Sequence, residues 1–307
     1  MRMHAGQVDI MPGTVARLVA VQFPQWRDLP VRAVASHGTV NALFRLGDEI
    51  VLRFPLRPSL DAGLRDKLAA EQDTARRVAA HVPVPVPVPA GLGEPGEGYP
   101  GLWTAYRWIP GETASSEHIA DPEAFACDLA GFVSALHDMD TGGRTWNGRT
   151  RGGPLRLRDE AVRRALAESA RLTDAARLAR LARIWKRCLQ APDDAADVWI
   201  HADLMPGNLL VRDGRLAGII DVEDVCVGDP AVDLMPAWNL MAPGPRQAYR
   251  RALRVSDATW ERGRGWAIVQ AIVALPYYAD TNRVMADTAR RTLDAVLERE
   301  RERPRED

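Results

Sequence analysis

The chain predicts an α+β fold in two lobes: a small, mostly antiparallel β lobe over residues 1–109 and a larger helical lobe over residues 110–307. Three observations predict it. Through the first lobe, apolar runs of strand length alternate with turn residues. Beyond Gly111 the apolar residues recur at helical spacing instead. A length of 307 residues suits a two-lobed chain with a sizeable core.

In the first lobe, Val31-Arg-Ala-Val-Ala35, Asn41-Ala-Leu-Phe-Arg45 and Ile50-Val-Leu-Arg-Phe54 read as three successive strands. Ser36-His37-Gly38-Thr39 turns the first into the second, and Gly47-Asp48 the second into the third. Leu64 to Val78 has helical spacing and carries Glu71, with Lys67 one turn before it as a local partner or a solvated residue. In Val82-Pro-Val-Pro-Val-Pro-Val-Pro89 the alternating prolines forbid helix and ladder bonding, so the path is a rigid extended connector. A proline-rich ligand for another protein is the rival reading. Gly91 to Gly98 reads as a loop, and its glycine spacing lacks the strand-to-helix context of a dinucleotide site. Trp103 to Ile109 is the last strand of this lobe, ending at Pro110-Gly111.

In the second lobe, Pro122 to Met139 places Phe125, Leu129, Phe132, Val133 and Leu136 on one helical face. His137 near its end reads as a core or capping histidine. Thr141 to Pro154 is a flexible connection, and Leu155 to Leu189 a charged helix whose arginines are interleaved with Asp and Glu. Trp266 to Tyr278 is a further apolar helix, and Glu298 to Asp307 a charged tail.

The chemistry is concentrated in His201-Ala-Asp203-Leu-Met-Pro-Gly-Asn208, with Asp221 thirteen residues on and Gly228-Asp229-Pro230-Ala-Val-Asp233 behind it. Val198-Trp-Ile200 leads into this run, and Asn208 to Val211 pairs with Leu216 to Ile220 across an Asp213-Gly214 turn. The hairpin sets Asn208 and Asp221 side by side at its open ends. Moving a phosphoryl group from a nucleotide needs little else: a carboxylate beside the acceptor hydroxyl and hard oxygen ligands for Mg²⁺. The spacing fits the kinase catalytic loop, H-R-D-x-x-x-x-N followed by a metal-binding Asp.

On these residues the chain resembles the aminoglycoside phosphotransferase family, whose motifs are H-G-D-x-x-x-x-N, I-D-[F/W]-[G/E] and G-D-P-x-x-D-L. Here they stand as His201-Ala202-Asp203, Ile220-Asp221-Val222-Glu223 and Gly228-Asp229-Pro230-Ala-Val-Asp233-Leu234. Ala202 replaces Gly, which is tolerable unless the backbone needs a positive φ there. Val222 replaces an aromatic residue. The resemblance implies a bilobal protein-kinase-like fold with ATP, or GTP, between the lobes and Mg²⁺ on its phosphates. It implies that Asp203 is the catalytic base and that Asn208 and Asp221 hold the metal. Glu223 then lies beside the metal instead of on it, and His201 packs and hydrogen-bonds the loop. Asp229 and Asp233 brace backbone N–H groups of the segment that follows. In the first lobe the resemblance makes Ser36, His37, Gly38 and Thr39 the phosphate flap. It makes Arg53, paired with Glu71, the phosphate cation where protein kinases carry Lys, and Tyr106, Arg107, Trp108 and Ile109 the hinge for adenine.

Composition bounds the alternatives. Forty basic against forty-one acidic residues give a net charge of −1, against a nucleic-acid binder. No apolar run is long enough to span a bilayer and the N-terminus lacks a signal-peptide core. Cys127, Cys188 and Cys226 lack metal-ligand spacing and suit a reducing cytoplasm. The oligomeric state is not legible. The acceptor is a small-molecule hydroxyl, of an aminoglycoside or other antibiotic or of a metabolite. Asp224, Asp257, Glu261, Asp280 and Asp287 are available to line a pocket for a cation, and Trp238, Trp260, Trp266, Tyr277 and Tyr278 one for a less charged acceptor. A nucleotide-binding regulator without turnover is the alternative of another class, against which the complete Asp203, Asn208 and Asp221 set argues.

Overall fold

The computed structural model describes residues 7–34, 40–59, 61–193 and 195–301. The expected flap Ser36–Thr39, the last residue of the first expected strand and the end of the charged tail lie outside them. The chain divides into two compact units, Met1–Ala80 with Pro85–Pro110, and His81–Val84 with Gly111–Asp307.

The first unit contains α1 (Pro12–Gln22), β1 (Val31–Val34), β2 (Asn41–Leu46), β3 (Ile50–Pro55), α2 (Leu64–Ala79), β4 (Pro89–Gly93) and β5 (Trp103–Arg107). The strands form one antiparallel sheet in the order β1-β2-β3-β5-β4. The β2–β3 turn works because Gly47 takes a φ of 57°, open to a residue without Cβ. Val15, Leu18 and Val19 of α1 pack on Phe44, Leu46, Ile50, Leu52 and Phe54 of the sheet. Trp103 stacks on Phe54 at 5.0 Å between ring centroids, and Phe44 meets Phe54 edge-on at 5.7 Å.

The Gly91–Gly98 stretch is not all loop, because Gly91 and Gly93 belong to β4. They serve close packing: a Cβ on Gly93 would sit 2.0 Å from the Trp103 ring and one on Gly91 2.7 Å from Phe23. The last strand ends at Arg107, two residues before Ile109. In the Val-Pro run Val84 and Val86 are buried while Val88 is 39% exposed, as a packed connector requires.

The second unit contains β6 (Glu112–Thr113), α3 (Pro122–His137), α4 (Asp159–Glu168), α5 (Ala175–Gln190), β7 (Val198–Ile200), β8 (Leu209–Arg212), β9 (Arg215–Ile219), β10 (Cys226–Gly228), α6 (Pro236–Asn239), α7 (Pro243–Leu253), α8 (Asp257–Tyr278) and α9 (Arg283–Arg301). β8 and β9 form the expected hairpin with β6 on its edge, and β7 pairs with β10. Asp213 and Gly214 both have positive φ, the turn geometry that matches strand twist. Residues 155–189 are not one helix. Leu155–Arg158 and Ser169–Arg171 are 3-10 turns, and Asp174 restarts the chain by accepting the Arg177 N–H at 2.8 Å. α8 begins nine residues before Trp266, where Ser256 Oγ accepts the Thr259 N–H at 3.0 Å. Its residues Trp260, Trp266, Ile268, Ile272 and Leu275 are all buried, so it forms the centre of this unit.

Candidate active site

Three short apolar strands place the candidate loop. β7 ends at Ile200, the chain turns through residues 201–208, and β8 and β9 pair Leu209 with Ile219. The Ile220 N–H donates to the Asn208 carbonyl at 2.9 Å, so the hairpin closes with Asn208 and Asp221 at its two ends. Asp221 adopts a left-handed backbone, φ 68°, a conformation that short polar side chains tolerate.

The loop is held from below. His201 is fully buried, and its Nε2 lies 3.0 Å from the Ile220 carbonyl. A carbonyl can only accept, so Nε2 carries the proton and Nδ1 accepts the Asp203 N–H at 3.3 Å. His201 is therefore a brace. Asp233 is fully buried in the turn Pro230–Leu234. Its Oδ2 accepts the His201 N–H and its Oδ1 the Ala202 N–H, both at 2.9 Å. His137 Nε2 lies 3.2 Å from the same Oδ2. The expectation for Asp233 is thus corrected: it braces the loop before it, not the segment after it. Asp229 does serve its own turn, accepting the Ala231 N–H at 3.0 Å. Its two oxygens also take the Arg262 guanidinium in a fork, at 2.9 and 3.1 Å.

Ala202, the departure from Gly, has a φ of 65°. The backbone does need a positive φ here, and the methyl is accommodated under strain on the order of 1–2 kcal/mol. A β-branched residue would fit far worse. Ala202→Val is expected to cost about 2–3 kcal/mol in urea unfolding, and Ala202→Gly to stay within about 1 kcal/mol of the parent, the lost methyl offsetting relieved strain. Equal stability of the Val and Gly variants would show that the loop does not hold this conformation.

Asp203 sits above this brace with about a third of its side chain exposed. Asn208 Nδ2 donates to its carbonyl at 2.9 Å and to its Oδ2 at 3.3 Å. With the amide nitrogen so committed, the Asn208 Oδ1 is the atom free to meet a cation. One amide oxygen and one carboxylate, Asn208 and Asp221, match the hard-oxygen chemistry of Mg²⁺ carried on phosphates. Glu223 lies in the turn Val222–Asp224 directly after Asp221.

Two neighbours of Asp203 escape sequence reasoning. Arg151 donates through Nη1 to Asp203 Oδ1 and, at 3.2 Å, to the Ala202 carbonyl. Gln270 of α8 reaches Oδ1 at 3.5 Å. Arg151 lies in what reads as a bare connection, and a run of arginines without acidic residues is the signal that marks it.

The first-unit candidates lie on the sheet and on α2. Arg53 faces Leu43 and Thr104 in the β2–β3–β5 register, its guanidinium 5.8 Å from the Tyr106 ring. Glu71 is largely buried, with Lys67 Nζ at 3.5 Å. Tyr106 is buried, and Arg107 ion-pairs with Glu49 at 2.8 Å. The Arg107 N–H donates to the Val88 carbonyl and the Trp108 N–H to the Glu49 carbonyl, so neither amide of the expected hinge is open to a ligand. Ile109 follows beyond the strand end.

The expected acceptor residues do not converge. Asp257 and Asp280 lie at opposite ends of α8, about 33 Å apart at 1.5 Å per residue, and bond to Arg250 and Arg171. Asp287 pairs with Arg290 at 2.8 Å, and Glu261 lies 3.5 Å from Arg264. The Asp224 side chain lies outside the described residues. Trp238, Trp260 and Trp266 are core residues, the first two 4.8 Å apart, while Tyr277 is 70% exposed.

A family model described as "Phosphotransferase enzyme family" matches residues 32–266. No curated protein sequence matches the chain. Among solved structures, the GDP complex of aminoglycoside 2'-phosphotransferase-IIIa is 17% identical, with a TM-score of 0.68 over 95% of this chain and 100% of that one. The streptomycin–ATP complex of APH(2'')-IIa is 16% identical, with a TM-score of 0.59 over 94% and 99%. A macrolide 2'-phosphotransferase from Brachybacterium faecium is 23% identical, with a TM-score of 0.57 over 91% and 97%. At these identities the likeness is one of fold, and it is the bilobal kinase-like fold expected above.

Proposed function

The chain belongs to the phosphotransferase enzyme family, and from that premise we propose that it moves the γ-phosphoryl group of ATP to a hydroxyl of a small molecule. The observation that carries this is the Asp203–Asn208 contact beside Asp221 at the hairpin's open end. Asp203 orients the acceptor hydroxyl and takes its proton. The new O–P bond forms as the bond to the β,γ-bridging oxygen breaks, and ADP leaves. In a loose transition state the proton departs late, so orientation is the larger part of the role. Asn208 and Asp221 would hold Mg²⁺, which when bound offsets the phosphate charge. Arg53, supported by Glu71, and the flap Ser36, His37, Gly38 and Thr39 are assigned to the phosphates. Tyr106, Arg107, Trp108 and Ile109 are assigned to the base, with the Ile109 amide the donor still available. GTP is the alternative donor on the same reading, since the fold neighbours include GDP as well as ATP complexes.

The neighbours that act on aminoglycosides and macrolides favour an antibiotic hydroxyl as acceptor, and with it a role in resistance. A metabolite hydroxyl is the second reading, favoured by the scattered and paired carboxylates of the second unit. Among the described residues no helix is long and apolar enough to cross a membrane. Three free cysteines fit a cytoplasmic location.

Titration of Mg²⁺ tests the metal assignment. Asp221→Ala is expected to weaken Mg²⁺-dependent ATP binding by about tenfold or more, and Asn208→Ala by less. Equal ATP affinity with and without Mg²⁺ in the unmodified protein, measured by calorimetry, would remove the metal from the scheme.

A further inference from the structure

The stretch Thr141–Arg158 contains Arg144, Arg149, Arg151, Arg156 and Arg158 and no Asp or Glu, in a chain whose total charge is −1. Three of the nearest carboxylates bond to groups other than its guanidinium groups. Asp140 accepts the Gly142 N–H, and Asp197 the Trp146 N–H at 2.8 Å. Asp159 is bonded to Arg163 and to the Trp185 indole. Among the described residues, Arg151 of the stretch forms an ion pair with Asp203.

Beside Arg151 the same stretch folds around a cavity of about 140 Å³, lined by Trp146, Arg149, Leu157 and Arg158 among others. The Trp146 indole is fixed there, donating to the Thr150 carbonyl at 3.0 Å. Gly153 lies against the ring so closely that a Cβ would come within 2.4 Å of it. This is a small, partly open recess lined by Trp146, Arg149 and Arg158, with the Arg158 guanidinium 5.7 Å from the Trp266 ring. Two residues of chain, at most about 7 Å between Cα atoms, separate its Arg149 from the Arg151 that touches Asp203. Guanidinium forks suit phosphate, sulfate and carboxylate oxygens, whereas an ammonium-rich acceptor would be repelled here.

We propose that the acceptor is an anionic small molecule whose phosphate, sulfate or carboxylate group is held by Arg149 and Arg158 beside Trp146. Its hydroxyl then lies at Asp203, where Arg151 keeps an ammonium group away from Oδ1. This rests on the phosphotransferase reading, and within it favours the metabolite acceptor over a cationic antibiotic.

The test is calorimetry on the full chain saturated with Mg²⁺ and a non-hydrolysable ATP analogue, titrated with inorganic phosphate and, separately, with kanamycin. Phosphate is expected to bind, more weakly as NaCl is raised, and kanamycin to bind at least tenfold more weakly or not at all. R149Q/R158Q should lower phosphate affinity at least tenfold, and R149K/R158K should recover part of it by restoring charge without the fork. Both side chains reach the surface, so these variants keep the fold, which circular dichroism verifies. No phosphate binding, unchanged binding in R149Q/R158Q, or kanamycin binding more tightly than phosphate would each overturn the proposal. Failure of the ATP analogue to bind would instead overturn the phosphotransferase reading and with it the acceptor role, whereas the phosphate titration would still decide whether Arg149 and Arg158 hold an anion.

Discussion

Asp203→Ala is expected to cut phosphoryl transfer by about a hundredfold or more, the scale of positioned acid–base catalysis, while Mg²⁺–ATP binds nearly as before. Asp203→Asn separates the two parts of the role. It preserves the side chain's shape and an oxygen acceptor, but it can no longer take a proton. If orientation dominates, the Asn variant retains more turnover than the Ala variant, and both remain well below the parent. Steady-state ADP release measures this, with calorimetry reporting nucleotide affinity. Unchanged turnover in Asp203→Ala would remove Asp203 from the chemistry.

The second large effect is on stability. Arg262 is 3% exposed and bonds in a fork to Asp229, itself 7% exposed in its side chain. Arg262→Ala leaves that carboxylate buried without its counter-charge, a change that costs about 3–5 kcal/mol. Urea unfolding should show the loss as a lower midpoint with an unchanged slope. Arg262→Met with Asp229→Leu removes both charges together and should cost much less than the two single changes summed. Strict additivity would mean that the pair is not coupled.

What is local is legible in the sequence. Val198–Ile200, the Asp213-Gly214 turn and the strands around it announce themselves within a few residues, and with them the placement of Asn208 and Asp221. So does the helical face of Phe125, Leu129 and Phe132. Interactions across long separations are not legible. Asp233 bonds the His201 amide 32 residues away, and Arg151 meets Asp203 over 52. Neither pairing follows from spacing, because the fold alone brings those elements together. The break in residues 155–189 has a different cause: Asp174, a capping residue, is easily taken for one more charge in a charged run. Likewise the glycines of β4 look like turn residues until the Phe23 and Trp103 rings that press on them are seen.

The bonding of Asp233 has a consequence for how the molecule opens. Loops that carry chemistry are commonly among the first parts of a protein to loosen, with backbone amides that exchange readily with solvent. Here the His201 and Ala202 amides end on a carboxylate sealed in the interior, on a turn whose Asp233 carbonyl also holds the Tyr249 hydroxyl at 2.8 Å. Local fraying cannot release them. Their protons are expected to exchange only when the helical interior itself comes apart, which native-state hydrogen exchange measures, so that under denaturant the loop keeps its shape until the whole unit is lost.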